Sequence, residues 1–500
     1  MEQTQLINDI HDRIVQYLKD QDKNIGLTKP KISPEHLYKE FDISLDESTN
    51  FDGIKEIIEK YLTLAVKTGS TNFYNQLFSG FSATGYLGEV LTALTNSSMY
   101  TFEMSPVATL MEKELIKRMS SLIGYENGFG TFVTGGSNGN LLGMLAAIYR
   151  LDPSLKEEGI FGSKVLTGFV SEESHYSFLK AAQLLGIGTK QIIKVPCDEY
   201  GHMNPTALEK CIQDSINSGK QPFFVGGTAG TTVRGTFDPF NKLADICEKY
   251  NLWFHIDASW GGSVIISSKH NHLMNGSERS DSITWCAHKM MGMPLMCTAA
   301  LFKDPFILKR INTVDGTDYL FHDDPDNIIN LGEHSLQCGR RTDALKLWLS
   351  WKYLGNSGFE KNINHIFEMA QYAKEKIETS SLLHLITPIE SLNVCFQIQP
   401  DSLPKSDWNT FNVNVRDKML SDGKLMVNYA NVNSITCIRL VTSNFKLKKK
   451  DLDFFFYEIE QTTSAVSYTH LRAHETMHEL VCRLLLEKKK VGGGGGGGGG

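Results

Sequence analysis

Residues 252–262 read Leu-Trp-Phe-His-Ile-Asp-Ala-Ser-Trp-Gly-Gly, and residues 282–289 read Ser-Ile-Thr-Trp-Cys-Ala-His-Lys. Each stretch is a short apolar run, and such runs are typical of buried strands. Asp257 ends the first run, and Lys289 follows the second. Because ligands of parallel sheets bind beyond the carboxyl ends of the strands, this spacing predicts that Asp257 and Lys289 meet at one edge of a sheet.

A buried lysine and a nearby carboxylate meet two chemical demands of pyridoxal 5′-phosphate (PLP). The lysine amine traps the aldehyde, and the carboxylate keeps the pyridine nitrogen cationic. Taken singly, the two residues equally fit a solvated lysine and a helix-capping aspartate. A third motif, Thr134-Gly-Gly-Ser-Asn138, joins a predicted strand to a helix. Its glycines admit close approach of a ligand to the backbone, and the helix N-terminus offers free N–H groups to a phosphate. The three motifs together favour a PLP site.

The middle of the chain, residues 94–353, alternates predicted strands and helices. Strands are expected at 130–134, 223–225 and 252–257, and helices at 140–150 and 238–250. Asp238 and Pro239 have the form of an N-cap and a first helical residue. Strand–helix–strand units with short links predict a mostly parallel sheet with right-handed crossovers, and therefore a large α/β cofactor-binding domain.

Two further segments flank this domain. Residues 1–93 repeat apolar positions at three- and four-residue steps, which predicts helices that pack on another domain or on a second subunit. After the turn-rich residues 354–358, a long helix to 377 and strands near 392–396, 426–427 and 438–441 predict a small α+β domain over 354–465. A helix over 451–460 closes it.

Residues 466–500 are expected to be non-native. Residues 466–476 and 480–490 resemble the conceptual translation of a sequencing adaptor, and nine glycines end the chain. An alternative is a helix that presents His470, His474 and His478 to a metal. We exclude this segment from the interpretation of the fold, as one would a fusion scar, and expect no metal site.

Composition excludes several classes of protein. Without the tail, 45 Lys and Arg face 54 Asp and Glu, a mildly acidic balance with no basic stripe for nucleic acid. No apolar stretch is long enough to span a membrane, and the N-terminus has no secretion signal. The eight cysteines before residue 466 are scattered without a C-x-x-C pair, which is consistent with a reduced, cytoplasmic protein.

The chain resembles the group II PLP-dependent amino-acid decarboxylases of fold type I, in the branch of glutamate and cysteine-sulfinate decarboxylases. The motifs follow the order of the family over residues 70–460. They are 75–80 (NQLFSG), 135–137 (GGS), 174–177 (SHYS), 228–233 (TAGTTV), 237–239 (FDP), 255–262, 288–292 (HKMMG), 337–340 (QCGR) and 439–444 (RLVTSN).

The resemblance implies a role for each cofactor-site residue. Lys289 holds PLP covalently, Asp257 pairs with the ring nitrogen and His175 stacks on the ring. The residues implied to bind the phosphate or to surround the cofactor are Gly136, Ser137, His288, Ser259, Thr232 and Asp238. Arg340 and Arg341 are interpreted as structural.

The resemblance also implies the substrate class. Arg439 grips a substrate carboxylate with its planar fork. Gln76, Phe78 and Tyr100 line the substrate pocket, Gln76 from the same or the partner subunit, and Phe78 and Tyr100 resemble the cysteine-sulfinate branch. The expected substrate is a small acidic L-amino acid: glutamate, aspartate or cysteine sulfinate. The expected assembly is a homodimer.

Three departures from the family keep alternatives open. Cys286-Ala287 replaces the usual Asn-Pro, Ala258-Ser259 replaces Ala-Ala, and no tyrosine occurs between Tyr319 and Gln337. In relatives, a loop tyrosine returns a proton to Cα; here His322, water, or protonation at the cofactor would take its place. The alternatives are a PLP lyase or aminotransferase of the same fold, and a catalytically silent regulatory paralogue.

Overall fold

A computed structural model describes residues 2–41, 43–317, 319–321 and 329–467. In chain order the helices are α1 (Glu2–Asp22), α2 (Pro34–Glu40), α3 (Phe51–Leu64), α4 (Ala83–Thr95), α5 (Pro106–Ile123), α6 (Gly136–Leu151), α7 (Leu155–Glu158), α8 (Ser177–Leu184), α9 (Pro205–Asn217), α10 (Phe240–Tyr250), α11 (Ile307–Asn312), α12 (Ala344–Glu378) and α13 (Trp408–Asp422). A further helix, α14, covers 449–467.

Eleven strands form two sheets in this part of the chain. They are β1 (Phe129–Val133), β2 (Leu166–Ser171), β3 (Ile192–Val195), β4 (Gln221–Thr228), β5 (Trp253–Ala258), β6 (Ser282–Cys286), β7 (Thr298–Phe302), β8 (Leu383–Leu385), β9 (Asn393–Ile398), β10 (Asn428–Val432) and β11 (Ile435–Val441).

The large sheet has the order β1-β7-β6-β5-β4-β2-β3. Strands β2 to β6 pair in parallel, whereas β7 is antiparallel to both of its neighbours. Its strands are almost entirely buried, because helices cover both faces. Register pairs Asp257 of β5 with Thr284 of β6, so these two strands end side by side. The predicted α/β fold class with a mostly parallel sheet is confirmed.

The small sheet, β10-β11-β9-β8, is antiparallel throughout. It shares an apolar core with α13, α14 and the C-terminal half of α12. This is the expected C-terminal α+β unit. The exact domain boundaries, at 93, 353 and 465, stay a prediction.

Residues 354–358 contain a kink, as a turn-rich segment predicts: Gly355 leaves helical geometry at φ 62° and ψ −174°, and helical segments on both sides of it make up α12. Two local expectations are wrong. Asp238 is not an N-cap, because Pro239 occupies that place without a side-chain cap. The C-terminal helix extends beyond 460 to 467, and Val466 packs partly against the small-sheet core.

The N-terminal segment precedes both sheets. The helical prediction for 1–93 agrees with α1 to α4. The rest of the segment after 467, with His470, His474 and His478, lies outside the described residues. Within 2–467, outside the gaps given above, no helix combines the length and the apolar character needed to cross a membrane.

Candidate active site

A cavity of about 160 Å³ lies beyond the carboxyl ends of β4, β5 and β6 and before the N-terminus of α6. Parallel strands that end together leave such a crevice, and the helix N-terminus faces into it. The lining residues are Gly136, Ser137, His175, Thr228, Gly230, Thr232, Asp257, Ser259, Trp260, His288, Lys289 and Met296. The structure therefore brings together eight residues that the sequence placed in a cofactor site.

Asp257 is buried at the end of β5, and both of its carboxylate oxygens accept N–H groups. Asn140 Nδ2 donates to Oδ2 at 2.8 Å, and the backbone N–H of Ser259 donates to Oδ1 at 3.1 Å. Burial alone would raise the pKa of this carboxyl, but the charge of Lys289 and the polar side chains of Ser259 and Asn140 lower the pKa below its ordinary value. Asp257 is thus held as an anion inside the cavity, which suits a partner for a pyridinium nitrogen.

His288 and Lys289 follow β6 in a tight turn. His288 Nδ1 lies 3.0 Å from both the backbone nitrogen and the carbonyl oxygen of Cys297, and these contacts fix the position of the ring. Burial lowers the pKa of His288 to about 4, which keeps the imidazole neutral. Lys289 is half-buried on the same wall, where an amine could react with an aldehyde.

The N-terminus of α6 forms a cradle that a side chain would fill. A Cβ on Gly136 would lie 2.4 Å from Ser259 Oγ, and one on Gly135, at φ 126°, would lie 2.4 Å from Met296 Cε. The first N–H groups of a helix have no partner within the helix. A phosphate group fits this glycine cradle, since it accepts those N–H groups and interacts favourably with the helix dipole.

Two buried hydroxyls in the cavity also await a partner. In the described structure neither Ser259 Oγ nor Thr228 Oγ1 has a hydrogen bond. Leaving such groups unpaired costs free energy, so a polar ligand in this cavity would be stabilised by them. The donor set, the cradle and the carboxylate together fit PLP. Lys289 would hold its aldehyde carbon, Asp257 its ring nitrogen, and Gly136, Ser137 and His288 its phosphate.

His175 lines the cavity between β2 and α8. Its Nδ1 accepts the backbone N–H of Ser177 at 3.3 Å, and its ring lies 4.1 Å from that of Tyr176. Burial, with the Lys289 charge, lowers the pKa of His175. A neutral, oriented imidazole has the shape and polarity to stack on a cationic ring.

Asp238 lies behind the cavity wall and does not line it. Its carboxylate accepts the backbone N–H groups of Met203 at 2.7 Å and Thr228 at 2.8 Å. Burial raises the pKa of Asp238 to about 7. Its contribution to the site is to fix the end of β4, from which Thr228 faces the cavity.

None of the four predicted substrate residues lines the cavity, and Arg439 alone of them is shown in contact with a lining residue, Thr232. Arg439 is buried, and its Nη atoms donate to the carbonyls of Thr232 at 3.0 Å and Asn75 at 3.1 Å. Gln76 is exposed, and Phe78 packs 6.3 Å from Phe73 between ring centroids.

The backbone of Tyr100 contacts the segment that begins at residue 329. Its carbonyl accepts the N–H of Gly332 at 2.9 Å. Tyr319 is the last tyrosine before the tyrosine-free stretch 320–336, and its side chain is 78% exposed. His322, the candidate proton donor, lies outside the described residues.

Sequence reasoning missed four lining residues: Thr228, Gly230, Trp260 and Met296. The first three belong to quoted motifs, and their position just after a strand was a usable signal. Met296 gave no signal, since it precedes β7 and reaches the cavity only through the turn after Lys289. Trp260 also donates to Asn393 Oδ1 at 2.9 Å and so ties the cavity to the small sheet.

Comparison with known proteins agrees with this site. The family model "Pyridoxal-dependent decarboxylase conserved domain" matches residues 34–399. The chain is 38% identical over 442 residues to cysteine sulfinic acid decarboxylase of Mus musculus, covering 85% of this chain and 89% of that protein. It is 37% identical over 440 residues to acidic amino acid decarboxylase GADL1 of Mus musculus, covering 85% and 80%.

The fold agrees as well. The crystal structure of mouse CSAD in apo form superimposes with a TM-score of 0.88 at 35% identity, over 92% of this chain and 98% of that chain. The predicted family is therefore confirmed, and with it the cofactor, PLP. The chain belongs to the pyridoxal-dependent decarboxylases, in the glutamate and cysteine-sulfinate branch, and is a PLP-dependent amino-acid decarboxylase, a carboxy-lyase.

Proposed function

We propose that this enzyme removes the α-carboxylate of a small acidic L-amino acid: glutamate, aspartate or cysteine sulfinate. The observation that carries the proposal is the buried guanidinium of Arg439, which is 7% exposed. In the part of the chain that the structure describes, it contacts two backbone carbonyls and no carboxylate, and its Nε has no hydrogen-bond partner.

A buried cation without a counter-charge is costly, and two other buried arginines avoid this cost. Arg340 makes a bidentate contact with Glu112 at 2.8 Å, and Arg234 pairs with Glu173 at 3.1 Å. The Nε of all three arginines lacks a partner in the described structure, but Arg439 alone of the three has no carboxylate beside it there, and it touches Thr232, a residue of the cavity wall. An anionic group of the substrate would supply the missing charge.

The names of the relatives support the same substrate class. One is a cysteine sulfinic acid decarboxylase and another an acidic amino acid decarboxylase, and each covers most of this chain. Both substrates named there carry a second acidic group besides the α-carboxylate. We infer that Arg439 binds this second group, with Gln76, Phe78 and Tyr100 around it.

The site residues have distinct tasks in the proposed reaction. Bound PLP supplies an electron sink for the electron pair that remains when CO₂ leaves. Asp257 keeps the ring nitrogen protonated, His175 limits the tilt of the ring, and Lys289 provides the amine that attaches the cofactor. His288 and the N-terminus of α6 hold the phosphate, so the ring stays in one plane while the carboxylate is cleaved.

We also propose that the enzyme is a homodimer. Leu87, Leu91 and Leu94 repeat on one exposed face of α4, and Val107 and Leu110 are exposed on α5. The other face of α4 packs so closely on α12 that a Cβ on Gly88 would lie 2.5 Å from Lys346 Cα. A second copy would cover this apolar surface, as large exposed apolar patches usually require. Paired Leu91→Asp and Leu94→Asp changes should therefore yield a smaller species in light scattering.

A cytoplasmic location is proposed on the state of the cysteines. All eight in the described part of the chain are free thiols. Reduced thiols are the norm in the cytosol, whereas secreted proteins usually pair them. Fractionation of the source cells would test this location.

The substrate is tested by incubating the PLP-loaded enzyme with a mixture of the common amino acids and cysteine sulfinate, followed by mass spectrometry of the amines formed. We expect amines from acidic substrates only. Lys289→Ala is the matched control and should form none. Amines derived solely from aromatic or basic amino acids would overturn the proposed substrate class, although not the decarboxylase family.

A further inference from the structure

A continuous line of buried polar side chains runs from Trp253, at the start of the central strand β5, to Asp257 near its end. Trp253 Nε1 donates to Ser282 Oγ at 2.8 Å, and Ser282 Oγ lies 2.8 Å from His255 Nδ1. His255 Nε2 lies 3.0 Å from Asn140 Oδ1, and Asn140 Nδ2 donates to Asp257 Oδ2 at 2.8 Å. All five side chains are buried.

The direction of donation along this line is fixed by the ionised carboxylate, which can only accept. Asn140 therefore turns Nδ2 to Asp257 and its oxygen to His255 Nε2, which must be the protonated nitrogen of the neutral ring. His255 Nδ1 accepts from Ser282 Oγ, which accepts the indole N–H of Trp253, and His255 Nε2 donates to the carbonyl oxygen of Asn140.

That contact in turn orients the amide of Asn140. Its oxygen faces His255, so its NH₂ group faces Asp257 and, at 2.9 Å, Ser177 Oγ. Every hydrogen bond in the line therefore points toward the carboxylate. The hydrogen bonds in such a chain polarise one another, which strengthens the last one, from Asn140 to Asp257.

We propose that Asn140 and His255 are positioning residues that hold Asp257 as an oriented anion and thereby set the strength of PLP binding. Asn140 acts directly on the carboxylate, and His255 acts through the amide of Asn140. This inference rests on the proposed role of Asp257 as partner of the ring nitrogen.

The charges around Asp257 agree with a neutral relay, formed by His255 and Asn140, beside an ionised carboxylate. The titratable groups that face Asp257 are Lys289 and His175 across the cavity, His255 on its own strand, and Cys286 at the end of β6. Burial lowers the pKa of His255 to about 4, so its imidazole is neutral over the physiological range. Lys289 is the positive group among them, and Asn140 adds a donor without adding charge.

The test measures PLP dissociation constants by fluorescence titration between pH 5.5 and 8.5. Asn140→Leu keeps the approximate side-chain volume and removes the donor. We expect it to weaken PLP binding by about tenfold or more, since hydrogen bonds to charged groups contribute strongly. Without the donor the pKa of Asp257 rises, so the loss of PLP affinity on acidification should begin at a higher pH than in the wild type.

His255 provides a second and milder pair of variants. His255→Gln retains an amide N–H for Asn140 and should stay within about threefold of wild-type affinity, whereas His255→Phe should lose more. Ser215→Ala is the control for loss of a buried hydrogen bond, because Ser215 Oγ bonds only Thr167 Oγ1, at 2.6 Å, away from the site.

The outcomes separate the relay from the role of Asp257 itself. If Asp257→Asn leaves PLP affinity unchanged, the proposed partner of the ring nitrogen is wrong. If Asp257→Asn weakens binding but Asn140→Leu and His255→Phe do not, the relay is overturned. A loss in Asn140→Leu that is equal at every pH, or matched by Ser215→Ala, would show a general packing effect and also contradict the proposal.

Discussion

The imidazole of His202 is bound to the carboxylate of Glu390, with 2.7 Å between Nε2 and Oε1. His202 follows β3 on the large sheet, and Glu390 precedes β9 on the small one. The second oxygen of Glu390 accepts the N–H of Phe237 at 3.1 Å, and His202 Nδ1 lies 2.9 Å from Asp198 Oδ2. Protonated His202, through Glu390, thus links the large sheet, the small sheet and the loop from Thr232 to Asp238.

This contact predicts that stability depends on pH. Hydrogen bonds and charge from Glu390, then Asp198, raise the pKa of His202 from 6.5 to about 9. A folded-state pKa above the unfolded value stabilises the fold fully below pH 6.5, and this contribution is lost as pH rises through 9. We expect His202→Gln to lose up to about 3 kcal/mol at pH 6.5 and little at pH 9.5. Urea unfolding at both pH values measures this, and equal losses at both would contradict it.

Lys289→Ala should abolish turnover and leave PLP bound only non-covalently. Borohydride reduction of the wild type should then attach the mass of the cofactor to a peptide that contains Lys289. Lys194, which lies near Ser174 rather than in the cavity lining, is the comparison, and Lys194→Ala should retain the label. Recovery of the label on another lysine of the wild type would contradict the assignment.

Asp257→Asn should preserve the fold and slow decarboxylation by several orders of magnitude. A neutral amide cannot keep the ring nitrogen cationic, and each pKa unit of lost interaction is worth about 1.4 kcal/mol. The NH₂ group of the introduced asparagine would also face either Asn140 Nδ2 or the backbone N–H of Ser259. Both of these groups are themselves donors. Single-turnover kinetics would measure the effect, and near-normal rates would show that the carboxylate is merely structural.

Glu112→Gln should destabilise the enzyme through Arg340. Both side chains are buried, the contact is bidentate at 2.8 Å, and Glu112 also accepts the N–H of Phe132. Breaking a buried ion pair on one side leaves an uncompensated charge and costs roughly 3–5 kcal/mol. Glu35→Gln, in the exposed pair with Lys39, is the control and should not change the melting temperature measurably.

Much of the cofactor site could be predicted because its residues follow elements that are local in sequence. Asp257 and Lys289 come after adjacent parallel strands, so strand pairing alone brings them to one edge. The glycines before α6 are a local signal for a helix N-terminus near a ligand.

What could not be predicted depends on long-range contacts. Asp238 has the local sequence of an N-cap, yet its partner Met203 comes from a hairpin 35 residues earlier. Glu112 lies 228 residues before Arg340, and no periodicity links them. The motif at 354–358 has the composition of a hinge, and the helix kinks there at Gly355; that helical segments on both sides of the kink pack on the two cores was not readable from the motif.

The substrate depends most on Arg439. Removing its guanidinium should raise KM strongly for an acidic substrate and also lower kcat, because a substrate whose second acidic group is loosely held is not aligned for cleavage of its α-carboxylate. Truncating one partner of a buried charged hydrogen bond costs about 2–5 kcal/mol. Arg439→Lys should rescue poorly, since one ammonium cannot replace the contacts to Thr232 and Asn75 and still bind the substrate.

Steady-state kinetics with glutamate, aspartate and cysteine sulfinate would measure these effects. Arg341→Ala is the matched control: this arginine is 60% exposed and pairs with Glu89, so its loss should leave kcat/KM unchanged. Melting temperatures of each variant with PLP bound separate a loss of fold from a loss of substrate contact. If Arg439→Ala keeps the wild-type kcat/KM for the best of the three substrates, Arg439 only braces Thr232, and another cation must bind the acidic group.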